Sequence, residues 1–290
     1  MDKHYDQIIK IDKGYSHDEK FQVKIDSKDF LLRVSPLKAF GRSNSIFGFL
    51  EKINQLEIPT YKPIKISKYQ NQVHSLFEWI NGHDLIDVIG HYSEKERYQF
   101  GLDAGKYLRK MHTIDAPIDI EPWDVRFNRK IDRNITRYLE SPLDIPETSY
   151  FIKYLESHRH LLNNRPQTFQ HGDYHIGNMM VNRQGELIVI DYDRFDFGDP
   201  FEEFNRIVWS AEQSPAFANG YINGYFDNDV PDEFWSLMLL YISSNVMSSL
   251  TWALAINEEE VKSMISQMHR VLQWYDAFKL VKPNWYIEKL

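Results

Sequence analysis

Short runs in which apolar and polar residues alternate dominate the first part of the chain, and this pattern predicts β-strands. Residues 20–25 and 29–34 form two such runs separated by three polar residues, which is typical of a hairpin. Residues 61–80 hold two more candidate strands around a polar turn. Between these pairs, residues 43–58 carry apolar side chains at helical spacing. The sequence therefore predicts a β-rich region over residues 1–80 with one helix.

Helical spacing dominates from residue 84 onward. Ser93 and Glu96 have the spacing of a capping box ahead of a helix that ends near His112. Further helices are predicted at 124–140, at 148–162 and from Glu202 to the end of the chain. Residues 170–200 break this pattern and predict a loop, two strands joined by a tight turn at Gly185, and another loop. We therefore expect two domains, a β-rich one at 1–80 and a helical one at 81–290.

One segment is long enough to cross a bilayer without a charged residue. Phe234 to Ile256 spans 23 residues, and 20 apolar residues suffice for a membrane helix. Six of its residues are serine or threonine and one is Asn245, a polar content that favours a helix buried in a globular domain. We expect no membrane span.

Composition narrows the range of partners. The net charge of −8 argues against nucleic acid and anionic membranes and favours a cationic or neutral partner. The chain has no cysteine, which excludes disulfides, thiolate metal sites and cysteine nucleophiles. Its charged first residues lack the apolar core of a signal peptide, so a cytoplasmic location is expected.

Polar residues flank the two strands predicted between 170 and 200. Asp173 and Asn178 precede and open the first strand, and Asp191 directly follows the second. If the strands form a hairpin, Asn178 and Asp191 lie at its open end, where an amide and a carboxylate oxygen suit Mg²⁺. Asp173 and Asn178 also have the spacing of the kinase loop H-R-D-x-x-x-x-N, with Gly172 in place of the arginine. This combination predicts phosphoryl transfer.

A literal Asp-Phe-Gly occurs at Asp196-Phe197-Gly198. In protein kinases the aspartate of this triplet holds magnesium. Here the triplet lies five residues beyond the strand that ends at Asp191, in a loop before the Asp199-Pro200 helix start. We therefore predict that Asp191 binds the metal and that Asp196 does not.

The segment HGDYHIGNMMV, followed by LIVIDYDRFDFGDPFEEF, resembles the aminoglycoside phosphotransferase family of small-molecule kinases. KGYSHDEKF resembles the family's phosphate-covering loop, FLLRVS its third strand and LFEWINGHDL its hinge. The resemblance implies an α+β, bilobal protein-kinase-like fold with a small β-rich N-lobe and a large, mainly helical C-lobe. It also implies a Mg²⁺-dependent phosphotransferase that uses ATP or GTP and phosphorylates a hydroxyl of a small molecule, such as an aminoglycoside or a related metabolite.

The resemblance also assigns roles to residues. It makes Asp173 the catalytic base and Asn178 and Asp191 the metal ligands. The adenine would be held by the backbone of the hinge, and the phosphates would lie near the covering loop and the third strand. The residues implied for the nucleotide are Ser16, Arg33, Glu78, Trp79 and Ile80.

Two departures from the kinase pattern keep other interpretations open. Arg33 stands where the third strand normally supplies a lysine, and the helix at 43–58 has no glutamate at the matching positions. A non-catalytic nucleotide- or ligand-binding member of the fold is therefore the alternative. Two weaker alternatives are a protein kinase and a metal site at His171 and His175.

Overall fold

The computed structural model describes residues 5–12 and 18–288. Contacts between residues group the chain into two compact units. The first holds the described residues of Met1–Asp87 together with Asn178–Asp193, and the second holds Val88–Gly177 and the described residues of Arg194–Leu290. The first unit thus includes a segment that a single division at residue 80 assigns to the helical part.

An antiparallel sheet of five strands forms most of the first unit, and the strand order is β1-β2-β3-β5-β4. Both predicted strand pairs are present, and their turns at Asp26-Ser27 and Gln70-Asn71 take the left-handed conformation. The sequence did not predict bounds for β1. The strands are β1 (Gln7–Ile11), β2 (Glu19–Ile25), β3 (Lys28–Pro36), β4 (Pro63–Tyr69) and β5 (Gln72–Glu78).

The helix predicted at 43–58 is α1 (Phe40–Gln55), which follows β3. It buries one apolar stripe at helical spacing, as an amphipathic helix does. Within the sheet, Val23, Leu32, Val34 and Leu76 form an apolar cluster on neighbouring strands. This packing fixes which face of β3 is apolar.

A second, three-stranded sheet in the first unit has the order β6-β8-β9. The predicted hairpin consists of β8 (Met179–Asn182) and β9 (Leu187–Val189), which pair antiparallel. Gly185 takes a φ of 80° in the turn, and the Asn182 side chain accepts hydrogen bonds from the N–H groups of Gln184 and Glu186. Strand β6 (Gly82–Asp84), which the sequence did not predict, pairs with β8.

The second unit is mainly helical, as predicted. The short helix α2 (Leu85–Val88) precedes it and lies mostly in the first unit. Helix α3 (Glu94–Met111) starts with the predicted capping box of Ser93 and Glu96. The later helices of this unit are α4 (Trp123–Leu139), α5 (Thr148–His158), α6 (Ile207–Gln213), α7 (Pro215–Phe226), α8 (Asp232–Ala253) and α9 (Glu258–Trp274). A two-stranded ladder joins β7 (Thr168–Gln170) to β10 (Asp196–Gly198). The α+β class is therefore confirmed.

Helix α8 corresponds to the long uncharged segment. Most of its side chains are buried, including Ser243, whose hydroxyl donates to the Leu239 carbonyl one turn earlier. Ser244 is also buried, and its hydroxyl accepts a hydrogen bond from the Asn134 side chain, so both serines have partners inside the protein. In the described part of the chain, no helix combines the length and apolar character needed to cross a membrane.

Helices α3 and α7 approach each other unusually closely through paired glycines. A Cβ built on Gly101 or Gly105 of α3 would lie 2.1–2.2 Å from a carbonyl oxygen of α7. A Cβ on Gly220 or Gly224 of α7 would lie 2.1–2.2 Å from a carbonyl oxygen of α3. Both partners of each clash are backbone, so neither helix can accept a side chain without moving.

We predict that Gly105→Ala lowers the free energy of unfolding by about 2 kcal/mol, because the helices must separate. Gly48→Ala is the matched control, since Gly48 also lies inside a helix but a Cβ there meets nothing within 4 Å. The control should stabilise by about 0.5–1 kcal/mol. Denaturant unfolding of both variants measures this, and equal effects at the two positions would contradict the account.

Candidate active site

The first unit brings Asn178 and Asp191 to the same end of the β8–β9 hairpin. Met179 pairs with Val189, and the Asn178 carbonyl accepts a hydrogen bond of 3.0 Å from the Ile190 N–H. Asp191 is the next residue and takes a left-handed conformation with φ of 67°. A non-glycine residue in this region is uncommon and often marks a functional position.

The donor set at this end of the hairpin fits a divalent cation. Asp191 Oδ1 is buried and has no hydrogen-bond partner among the described residues. Burial and the nearby Asp193 carboxylate raise the pKa of Asp191, whereas Arg33 and Lys20 lower it. A cation would satisfy the buried oxygen and favour its ionised form. In residues 5–12 and 18–288 no group of three His, Asp or Glu side chains is arranged to hold a metal ion, so other ligands would have to come from phosphates and water.

Arg33 lies on β3 and is almost completely buried. Its guanidinium binds both carboxylate oxygens of Asp193, with an Nη1–Oδ1 distance of 2.8 Å, and it contacts Asp18 at 3.0 Å. Arg42 of α1 donates to the Asp193 carbonyl at 2.8 Å. The expected lysine–glutamate pair is thus replaced by an arginine–aspartate pair, and α1 joins it through Arg42. Burial raises the pKa of Asp193, but Arg33 lowers it more, and the net shift is downward.

Lys20 is a cation of this region that the sequence analysis missed. It lies on β2 directly opposite Arg33 in the β2–β3 register. Its positive charge lowers the pKa of both Asp191 and Asp193. The sequence predicted this β2–β3 hairpin, and working out its register would have placed Lys20 beside Arg33.

Glu78, Trp79 and Ile80, which the sequence predicts to hold the nucleotide base, line a cavity of about 500 Å³ in the first unit. Ile188 of β9 lies on its wall. The Glu78 N–H already donates to the Lys62 carbonyl at 2.9 Å. Ser16, which the sequence places near the phosphates, lies outside the described residues.

In the second unit, the backbone of the loop at His171 and Gly172 is held by one carboxylate. Glu203 accepts hydrogen bonds from the N–H groups of His171 at 2.6 Å and Gly172 at 2.8 Å. Burial and the neighbouring Glu202 raise the pKa of Glu203 to about 8, although both backbone N–H groups oppose this. Gly172 has a φ of 82°, and a Cβ there would lie 2.0 Å from the Arg194 carbonyl oxygen. Only glycine fits, which explains why the kinase arginine is absent.

Asp173 follows in the same loop and is mostly buried among cations. Its carboxylate lies 3.3 Å from Arg206 Nε and 3.7 Å from Arg194 Nε. Burial raises its pKa, but Arg206, His175 and Arg194 lower it by more, so the net shift is downward. Asp173 is therefore ionised at neutral pH and can accept a hydrogen bond from a hydroxyl.

His175 and His171 support this loop. The Gly177 N–H donates to His175 Nδ1 at 3.1 Å, which places the proton of the neutral ring on Nε2, 3.6 Å from Asp173 Oδ1. Burial lowers the pKa of His175 to about 4, and Asp173 only partly opposes this. His171 is fully buried and its Nδ1 accepts from the Asp173 N–H at 3.3 Å. Both rings therefore act as hydrogen-bonding partners of the loop.

The literal Asp-Phe-Gly triplet is strand β10, which pairs with β7. Asp196 is largely exposed and forms an ion pair with Arg126 of α4 at 3.0 Å. The following Asp199 has the predicted capping role, since it accepts from the Phe201 N–H at the start of the 3₁₀ helix Pro200–Arg206. Arg165 and Tyr241 also bind its buried carboxylate.

A cavity of about 520 Å³ adjoins the Asp173 loop in the second unit. Gly172, Arg194 and Arg206 lie on its wall beside residues of α4 and α8. Its volume is in the range of cavities that bind metabolites and drugs.

The family model described as "Phosphotransferase enzyme family" matches residues 7–234, and the chain belongs to this family. Among solved structures, it is similar to a thermostable mutant of aminoglycoside phosphotransferase APH(4)-Ia in complex with ADP and hygromycin B. The identity is 14% and the TM-score 0.69, over 93% of this chain and 94% of that one. It is also similar to APH(2")-IIa bound to gentamicin, with 15% identity and a TM-score of 0.63 over 92% of each chain. The protein-kinase-like fold is thereby confirmed.

We predict that His175 makes the fold sensitive to acid. The unfolded chain takes up a proton at this ring below its ordinary pKa of 6.5, whereas the folded state stays neutral until about pH 4. As the pH is lowered from 6.5 to about 4, the free energy of unfolding should therefore fall by about 1.4 kcal/mol per pH unit. His175→Gln should remove this part of the pH dependence in denaturant unfolding. An unchanged slope between pH 6.5 and 4 would contradict it.

Proposed function

We propose that the protein transfers the γ-phosphate of ATP or GTP, with Mg²⁺, to a hydroxyl of a small molecule. The observation that carries this proposal is Asp173, a buried and ionised carboxylate whose loop adjoins a 520 Å³ cavity. Family membership supports a phosphotransferase. Solved structures of the same fold contain ADP or AMP-PNP together with hygromycin B, which supports a nucleotide and a small-molecule acceptor.

On the nucleotide side, the proposal uses residues of the first unit. The cavity at Glu78–Ile80 would hold the base, and Asn178 and Asp191 would hold Mg²⁺. When bound, Mg²⁺ neutralises phosphate charge. Lys20 and Arg33 would supply further positive charge to the phosphates. Arg33 also keeps Asp193 ionised and in place, so that Asp193 supports this region without being a required metal ligand.

On the acceptor side, Asp173 would orient the hydroxyl and accept its proton. Its lowered pKa keeps it in the accepting form at neutral pH. The contribution of the protein is mainly positioning and charge stabilisation, as in other phosphoryl transfers.

A non-catalytic, nucleotide-binding member of the fold is the second candidate. It is favoured by the engagement of Arg33 with Asp193 and Asp18, since a guanidinium held by two carboxylates has less charge to offer phosphates. Release of ADP from Mg-ATP in the presence of any acceptor separates the two candidates. Binding of nucleotide without turnover would favour the second.

We predict that Asp173→Asn lowers kcat by at least about 100-fold, because the amide cannot accept the hydroxyl proton. The variant should still bind nucleotide, which is measured as a thermal shift on addition of Mg-ATP. Asp144→Asn, in the loop before α5, is a matched control and should keep wild-type turnover. Full activity of Asp173→Asn would contradict the assignment of the base.

We predict that Asp191→Ala abolishes Mg²⁺-dependent turnover, since it removes the buried oxygen without a protein partner. Asp196→Asn should keep a measurable fraction of activity, because Asp196 is exposed and paired with Arg126. ADP release as a function of Mg²⁺ concentration compares the two variants. The reverse order of effects would show that the Asp-Phe-Gly triplet holds the metal.

A further inference from the structure

We infer that the phosphate acceptor is an anion, that is, a small molecule that carries a phosphate or carboxylate group besides the hydroxyl to be phosphorylated. This inference rests on the proposed function and names its substrate class. It departs from the cationic or neutral partner that the net charge suggested. The observation is the charge of the cavity beside Asp173.

The cavity wall carries six basic residues and three acidic ones. Four of the basic residues come from α4, namely Arg126, Arg129, Lys130 and Arg133. Their spacing of three, four and seven residues places them along one face of the helix. Like charges at this spacing destabilise a helix, and the chain as a whole carries a net charge of −8. A stripe of cations directed at one cavity is therefore a local feature that composition does not explain.

The three acidic residues of the wall are already paired. Glu121 binds Arg129 at 2.8 Å, Glu202 binds Lys130 at 2.8 Å, and Asp196 binds Arg126 at 3.0 Å. Each acid thus neutralises one cation of α4. No acidic residue of the wall is left over to bind a cationic group.

Three of the six basic residues of the cavity wall are not paired with an acidic residue of that wall. Arg133 is exposed and has no ion pair among the residues that the structure describes. Arg194 and Arg206 share a single carboxylate, that of Asp173. Even with Asp173 included, the cations of the cavity outnumber the carboxylates. Field lines in a concave site of one sign concentrate ligands of the opposite sign.

The remaining lining suits a polar, metabolite-sized anion. Ser244, Asn245 and Ser248 of α8 supply hydroxyl and amide groups, and Trp123 supplies an apolar surface. Arginine guanidinium groups bind phosphate and carboxylate through two parallel hydrogen bonds. We assign Arg133 to the anionic group of the acceptor and Arg194 and Arg206 to the positioning of Asp173.

The first experiment identifies the charge of the acceptor without assuming its identity. A small-molecule cell extract is separated by ion exchange into anionic, neutral and cationic fractions, and each is incubated with the protein and Mg-[γ-³²P]ATP. Label that appears in a small molecule only with the anionic fraction supports the inference. Label with the neutral or cationic fraction, or with hygromycin B or gentamicin, overturns it and leaves the proposed function intact. No label with any fraction counts against the proposed function itself.

The second experiment tests the residue assignment with the labelled acceptor. Arg133→Glu should raise the KM for this acceptor at least ten-fold and leave the KM for ATP near wild type. Arg137→Glu is the matched control, because Arg137 is exposed on the same helix one turn later but does not line the cavity. Thermal unfolding checks that both variants fold. An acceptor KM that is unchanged or lower in Arg133→Glu overturns the assignment.

The same labelling reaction can identify the anionic group of the acceptor. The anionic fraction is treated with phosphatase, and the phosphatase is removed before Mg-[γ-³²P]ATP and the protein are added. This treatment destroys acceptors that depend on a phosphate group, whereas carboxylate acceptors survive. Loss of label after this treatment assigns a phosphate, and retention assigns a carboxylate. In both cases the acceptor KM should rise with salt, because the attraction is electrostatic.

Discussion

The hydrogen bonds that Glu203 accepts from two backbone N–H groups are the constraint on which the loop at His171, Gly172 and Asp173 depends. They fix His171 and Gly172, and the left-handed Gly172 turns the chain against the Arg194 carbonyl. Asp173 then lies between Arg194 and Arg206, which hold its carboxylate ionised. A buried side chain from outside the loop thus holds the backbone that carries Asp173. In our proposal, this is how a base is positioned outside regular secondary structure.

In the first unit, the pair formed by Arg33 and Asp193 has a similar organising role. Arg33 and Asp193 pair in place of the lysine and glutamate of the kinase pattern, and Arg42 connects α1 to this pair. Arg33 binds Asp193, whereas Asp191, two residues earlier, has one buried oxygen without a hydrogen-bond partner among the described residues. Two aspartates separated by one residue therefore have different environments and, in our account, different tasks.

Local patterns predicted much of the fold. The capping box at Ser93, the turn at Gly185 and the helix spacing of α1 depend on neighbouring residues, and all three were found from the sequence. Strand β6 was missed because its partner β8 lies about 100 residues away in the chain, and three residues carry no periodicity. Arg33 and Asp193 are separated by 160 residues, so local sequence patterns could not predict that they pair.

The candidate site was predicted in part for the same reason. Motif spacing gave Asp173, Asn178 and Asp191, whose roles remain predictions, but it could not give Lys20 or the cation stripe of α4. Both had a signal in the sequence. Lys20 follows from the register of a predicted hairpin, and the stripe follows from its helical spacing. What the sequence lacked was the knowledge that α4 faces the same cavity as the Asp173 loop.

The most direct measurement of the central claim is a crystal structure of the protein with Mg²⁺ and a non-hydrolysable ATP analogue. Our account predicts Mg²⁺ at about 2.1 Å from side-chain oxygens of Asp191 and Asn178, with its other ligands from phosphates and water. It also predicts an intact Arg33–Asp193 pair. Magnesium bound at Asp196, or nucleotide bound without any contact of its metal to Asp191, would contradict the account.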